Sequence, residues 1–226
     1  MQIKAILDEV LRESGFTAPS AYATSNNDAD KQAFALANRA LRTLTTDSWR
    51  SLYRAHTFTM TSATAYDLPV DYREIVPDTM WNTNSNLKVI IPPSDEVWAY
   101  LQANDVATGV QEIARITEGQ LHIENPTPGS GIRFEYITNH PVTANDTTTK
   151  ARFTADNDTC LLDDDLLIMD IKWRWNKLKG LPWEADLQEA KIYQKSVRAA
   201  DRPPKKLNMT GNMLPPLNEP YTDTWK

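Results

Sequence analysis

The sequence predicts an α+β fold: a four-helix bundle formed by N-terminal and C-terminal helices, an inserted antiparallel β-region, and an extended C-terminal arm. Three observations predict it. Apolar residues recur at helical spacing near both ends, the middle third alternates with period two, and the last stretch carries Pro215, Pro216 and Pro220 without any period. The boundaries are residues 1–49 and 153–201 for the bundle, 50–152 for the β-region with one short helix, and 202–226 for the arm.

Taken in order, Ile3, Ile6, Leu7, Val10 and Leu11 share one helical face, and Gly15 stands where a left-handed residue closes a helix. A second helix begins at Asp28, with Asp28 and Asp30 at its positive end and Phe34, Ala37, Leu41 and Leu44 on one stripe. Thr43, Thr45 and Thr46 weaken it, so it ends there. From Leu52 to Met60 the pattern becomes Leu52, Arg54, His56, Phe58 and Met60 alternating with Tyr53, Ala55, Thr57 and Thr59, which is a strand. Further strands are expected at residues 87–91, 111–117, 121–124 and 132–137, the last three as a meander with turns at Glu118-Gly119 and residues 126–131. Ser94 caps a short helix whose apolar face is Val97, Trp98 and Leu101, a lid for one sheet face.

The local signals agree best from residue 161 to 201. Asp163, Asp164 and Asp165 precede Lys172, Arg174, Lys177 and Lys179, the charge order a helix dipole favours, and Gly180 supplies a stop. Leu162, Leu166, Met169 and Trp173 form one stripe, and Ile171, Trp175 and Leu178 an adjoining one, so this helix needs neighbours on more than one side. Pro182 can open the next helix, with Trp183, Leu187, Ala190 and Val197 facing inward. Such a short connection makes an antiparallel hairpin. The bundle and subunit packing set is therefore Phe34, Leu41, Leu166, Trp173, Trp175 and Trp183. The arm has Arg202, Lys205 and Lys206 at its root and the apolar anchors Met209, Met213, Leu214, Leu217, Tyr221 and Trp225, which disordered linkers usually lack. It reads as a docking arm, the alternative being a loose tail.

Composition limits the function classes. The chain has 226 residues, long enough for a real core, and its apolar runs fall short of a membrane span. The expectation is a soluble protein with no membrane partner. One cysteine, Cys160, excludes an intrachain disulfide and a cysteine zinc cluster. Thirty acidic against 24 basic residues give a net charge of −6, which argues against a general DNA-binding surface. The seven Trp suit a core and an interface alike.

No phosphate-binding loop, nucleophile elbow or paired-histidine metal motif occurs, so no catalytic residue, cofactor or metal is expected. His56, His122 and His140 are isolated. Asp156, Asp158, Asp163, Asp164 and Asp165 lack the central Gly and closing Glu of a calcium loop, and turn and capping duty explains them better. Pairs such as Glu118 with Glu124 carry no weight in a chain this rich in acids. Trp81, Trp98 and Tyr100 near a small β-region could stack on sugar rings, so a carbohydrate- or cell-wall-binding tail module is the rival reading.

The wording of several segments resembles the head-to-tail adaptor proteins of short-tailed bacteriophages, also called tail tubular proteins. The segments are Phe34-Ala-Leu-Ala-Asn-Arg-Ala-Leu-Arg42 with Trp49, Pro77-Asp-Thr-Met-Trp81, Arg133-Phe-Glu-Tyr-Ile137, and above all Phe153-Thr-Ala-Asp-Asn-Asp-Thr-Cys-Leu-Leu-Asp163 leading into Lys172-Trp-Arg-Trp-Asn-Lys-Leu-Lys-Gly180. The resemblance covers nearly the whole chain. It implies a non-enzymatic ring subunit in the virion at the head–tail junction, usually of twelve copies, made in the host cytoplasm. The portal protein would lie above, a tail nozzle or other tail protein below, and the genomic DNA would pass through the lumen without sequence-specific binding. The helices would face the portal and the arm would reach onto it.

Overall fold

The computed structural model describes residues 1–92, 94–103, 112–124 and 126–201. Helix α1 (Ile3–Glu13) buries Ile3, Ile6, Leu7, Val10 and Leu11, and Gly15 follows it with φ +79°. Helix α2 (Asp28–Leu44) starts at Asn27, whose side chain accepts from the Ala29 N–H, with Asp28 and Asp30 in the first turn. At its far end the Trp49 indole N–H donates to the Leu44 carbonyl at 2.7 Å, satisfying one of the carbonyls a helix end leaves open.

A single 3-10 turn leads into strand β1 (Tyr53–Thr59), followed by β2 (Ala65–Asp67), β3 (Tyr72–Ile75), β4 (Trp81–Asn82) and β5 (Leu87–Lys88). Then come helix α3 (Asp95–Ala103) and strands β6 (Ile113–Thr117), β7 (Gln120–Glu124) and β8 (Gly131–Thr138). All ladders between these strands are antiparallel. Strand β8 is the hub of the larger sheet: β1 runs along one edge of it from Tyr53↔Ile137 to Thr59↔Gly131, while β3 and β4 divide the other. Three short strands, β9 (Val142–Thr143), β10 (Thr149–Lys150) and β11 (Thr159–Cys160), form a small sheet leading to helices α4 (Asp164–Lys179) and α5 (Glu184–Asp201).

The expected meander does not form. Strands β6 and β7 pair, but β7 gives its other edge to β2, so β8 joins β1, β3 and β4 in a different sheet. The separate sheets meet where Ile90 bridges Ile113. Helix α3 does cover a sheet face: Trp98 is buried against Ile113, and Arg115 pairs with Asp95 at 2.8 Å.

Besides the Trp98–Ile113 pair, two large apolar cores form among the described residues. Met60, Met80, Ala114, Leu121, Ile123, Ile132, Phe134 and Tyr136 fill the one between the sheets, whereas the other joins the buried faces of α1, α2 and α4. Because β8 alternates, Ile132, Phe134 and Tyr136 enter the first core and Ile137 enters the second. One strand thus bolts the two together.

The helices do not make a four-helix bundle. Helix α4 is the shared element, touched by α1, α2 and α5. Helix α5 buries only Ala190 and carries charged or polar residues over most of its surface, so it has no second apolar stripe with which to close onto α1 and α2. It also starts at Glu184, two residues beyond Pro182, with the Leu187 N–H bonding back to the Trp183 carbonyl.

Candidate assembly surfaces

Helix α4 is built as its charge order suggests. Asp163 accepts from the Leu166 N–H at 2.9 Å, Asp164 and Asp165 sit in the first turn, and Gly180 ends the helix with φ +72°. The Met1 ammonium bonds to Asp164 at 2.6 Å, and Lys172 pairs with Glu13 at 2.7 Å, which fixes α1 parallel to α4. Asn176 donates to Asp186 at 2.7 Å and holds the first turn of α5. The far end of α5 is tied to the end of α2: Arg198 pairs with Asp47 at 3.1 Å, and Asp201 accepts from the Arg50 N–H at 2.6 Å.

Of the expected packing set, Leu41, Leu166 and Trp175 lie in the helical core. Phe34 is half-buried against it and lines an outer groove. Trp173 and Trp183 lie half-buried together, ring centroids 6.2 Å apart, with Arg174 over the first ring at 4.5 Å and Lys177 over the second at 4.4 Å. Leu178, expected inward, is 52% exposed. With Leu181 and Ile192, the latter 68% exposed, it leaves apolar surface on the hairpin that none of the described residues covers. The sequence reading had missed Ile192, whose polar neighbours hide it from a periodicity argument. The arm residues Arg202, Lys205, Lys206, Met209, Met213, Leu214, Leu217, Tyr221 and Trp225 lie outside the described residues.

Two grooves of opposite charge mark the helical layer. Glu9, Glu13, Asp165, Asp186 and Glu189 surround Lys172 in a groove of about 240 Å³ between α1, α4 and α5. The other, of about 560 Å³, runs along the outer face of α2 with Lys31, Arg42 and Arg152 on its walls, Phe34 and Phe153 beside them, and no carboxylate in its lining. Asn38 fixes that wall, accepting from the Phe153 N–H at 2.9 Å and donating to the Phe153 carbonyl at 3.3 Å. Arg152 is far from α2 in sequence, so only the fold assembles this cluster.

The groups with possible chemistry are otherwise engaged. Burial pushes the Cys160 thiol up to about 12, and a thiol that keeps its proton is a poor nucleophile. His56 packs on Phe58 and Phe134, and His140 faces Thr149. Asp158 accepts from the N–H groups of Thr154 and Ala155 and Asp163 caps α4, which is turn and capping duty, whereas Asp156 accepts from the distant backbone N–H groups of Tyr22 and Ala23 and ties that segment to the loop before α4. Of the three aromatics that could stack on sugars, Trp98 is buried, while Trp81 and Tyr100 are exposed. No helix among the described residues is long and apolar enough to cross a membrane.

Among curated proteins, none matches the chain. The family described as SU10 adaptor protein matches residues 1–211, and it is a family of phage head–tail adaptors with a structural role in the virion. A match of that length, carried by α1 through α5 and the sheets between them, places the chain in the SU10 adaptor protein family.

Proposed function

We propose that the chain forms a ring beneath the portal, in about twelve copies as oligomeric connectors of this kind close by rotation, and that this ring joins the portal to the tail while DNA passes through its lumen. The family match over residues 1–211 carries the reading. Helices α4 and α5 supply lateral contact, because Leu178, Leu181 and Ile192 are exposed among the described residues. The helical layer faces the portal, the sheets face the tail nozzle or other tail protein, and residues 202–226 dock on the portal. The net charge of −6 keeps the lumen from holding DNA. The protein works by assembly rather than by turnover and needs no cofactor.

The test is to mix the protein with purified portal rings and image the product. The full chain should add a ring of density to the portal, and a chain ending after Asp201 should not. If the shortened chain joins portal as strongly as the full one, residues 202–226 are not the docking element. If the full chain adds nothing, the ring reading fails.

A further inference from the structure

The outer groove of α2 is unlike the rest of this acidic protein. Among the described residues, Arg42 and Arg152 form no ion pair, and Lys31 bonds only to the Asn26 carbonyl at 3.3 Å. Arg42 also borders a second groove, of about 390 Å³, lined by Thr45, Thr46, Arg73 and Asn139 and by one carboxylate, Glu74. The two share Arg42 and together flank α2 from its end toward its start. Arg73 is held there by the carbonyls of Thr45 and Asp47. Asp201, the last described residue, accepts from the Arg50 N–H, and Arg198 pairs with Asp47, so α5 ends beside the segment that follows α2.

The chain beyond Asp201 has a charge order of its own. Its root holds Arg202, Lys205 and Lys206, which a basic groove repels. Its distal part holds Glu219, Tyr221, Asp223 and Trp225, two carboxylates alternating with two large aromatics, with Lys226 the one cation after Lys206. We propose that, before assembly, residues 219–225 fold back onto the α2 groove of the same chain, setting Glu219 and Asp223 against Lys31, Arg42 and Arg152 and an aromatic ring against the half-buried Phe34. The dimensions agree. From Lys31 to Arg42 a helix rises about 16 Å, and seven residues without helix span about 22 Å. The residues between Asp201 and Glu219 reach up to about 60 Å, more than twice the length of α2 at about 26 Å. A concave basic wall edged by Phe34 suits a narrow acidic–aromatic peptide, since charge fixes the register and ring contact adds apolar burial. The acidic groove over α4 has the wrong sign for this segment.

The inference stands apart from the ring reading, and its consequence is that the end of the arm is covered until a partner takes it. The test uses the full chain carrying Ala35→Cys, an exposed position in the groove lining, together with Thr222→Cys. Cys160 stays in place, since its buried thiol remains protonated at working pH. A reference variant pairs Thr222→Cys with Gln188→Cys, on the exposed side of α5. Under mild oxidation the Ala35 pair should close within one chain about tenfold faster than the reference, as two charge pairs of ordinary strength imply. Adding Arg42→Glu and Arg152→Glu should remove that advantage, and adding Glu219→Arg and Asp223→Arg to them should restore it. Equal rates for the two cysteine pairs, or a disulfide joining two chains, would overturn the proposal. Portal joining is read on the same samples after reduction. A chain that joins portal without the preferred disulfide disproves only the fold-back, and one that closes the disulfide but ignores portal disproves only the ring.

Discussion

Asp158 is fully enclosed and still charged, because four groups converge on it: the N–H of Thr154 at 2.7 Å, the N–H of Ala155 at 2.9 Å, the Thr154 hydroxyl at 3.3 Å and the Lys150 ammonium at 3.0 Å. Burial alone would raise its titration point, but these bonds outweigh burial and hold the carboxyl below the ordinary carboxylate range. Its backbone carbonyl meanwhile receives the Ile3 N–H at 2.8 Å, so this turn also seats the start of α1. Asp71 is likewise depressed: burial opposes, and the hydroxyls of Thr138 at 2.6 Å and Tyr136 at 2.8 Å prevail. A carboxyl depressed by folding binds its proton more weakly than in the unfolded chain. Its stabilisation is therefore complete above the unfolded value of about 4 and drains away as pH falls through the lower folded value. Asp158→Ala should cost about 3 kcal/mol at pH 7 by leaving buried donors unpaired. Urea midpoints at pH 7 and pH 3 should differ less in Asp158→Asn than in the wild type, and an unchanged difference would remove Asp158 from the acid response. None of this network was legible in the sequence beyond the assignment of Asp158 to a turn, since Lys150 and Thr154 show no partnership until the loop closes.

Elements were legible where one residue's neighbours in sequence decide its environment. Helices α1, α2 and α4 follow from apolar spacing, acidic starts and stop residues, and each forms near its expected bounds. Strands β1, β7 and β8 follow from alternation, but their partners did not, because pairing is set by which edges are free once β2, β3 and β4 have formed. Those strands span two to four residues, too short for a period to show. The four-helix bundle failed for a related reason: four helices were counted, but α5 buries only Ala190. The turn between α4 and α5 depends on one backbone conformation. A Cβ on Gly180 would meet nothing within 4 Å, so the cost of Gly180→Ala lies in its positive φ alone, about 1 kcal/mol. A urea titration should show that loss with an unchanged slope. A loss above about 3 kcal/mol would mean that Gly180 does more than admit a left-handed residue.

On the scale of the whole molecule, the exposed apolar side chains of the α4–α5 hairpin are the lateral contact of the proposed ring. Ile192→Asp should leave the stability of the isolated chain within about 0.5 kcal/mol, since the side chain is already in water. The same change should weaken ring formation on portal, measured as the fraction of portals carrying added density. Full assembly by Ile192→Asp would place the lateral contact elsewhere. The surface role of Ile192, like the basic wall built from Lys31, Arg42 and Arg152, came only from the fold, because each joins residues that the sequence keeps apart.

The helical core is made from both ends of the described chain, with α1 and α2 waiting for α4, and the N–H of Ile3 waiting for the carbonyl of Asp158. During synthesis, residues 1–49 therefore leave the ribosome with their apolar faces open, and more than a hundred further residues must be made before those faces can close. Strand β8 sets a similar delay, as it must emerge before β1 gains a partner. A translation product that stops before α4 thus lacks a finished helical core and keeps the apolar faces of α1 and α2 open to water.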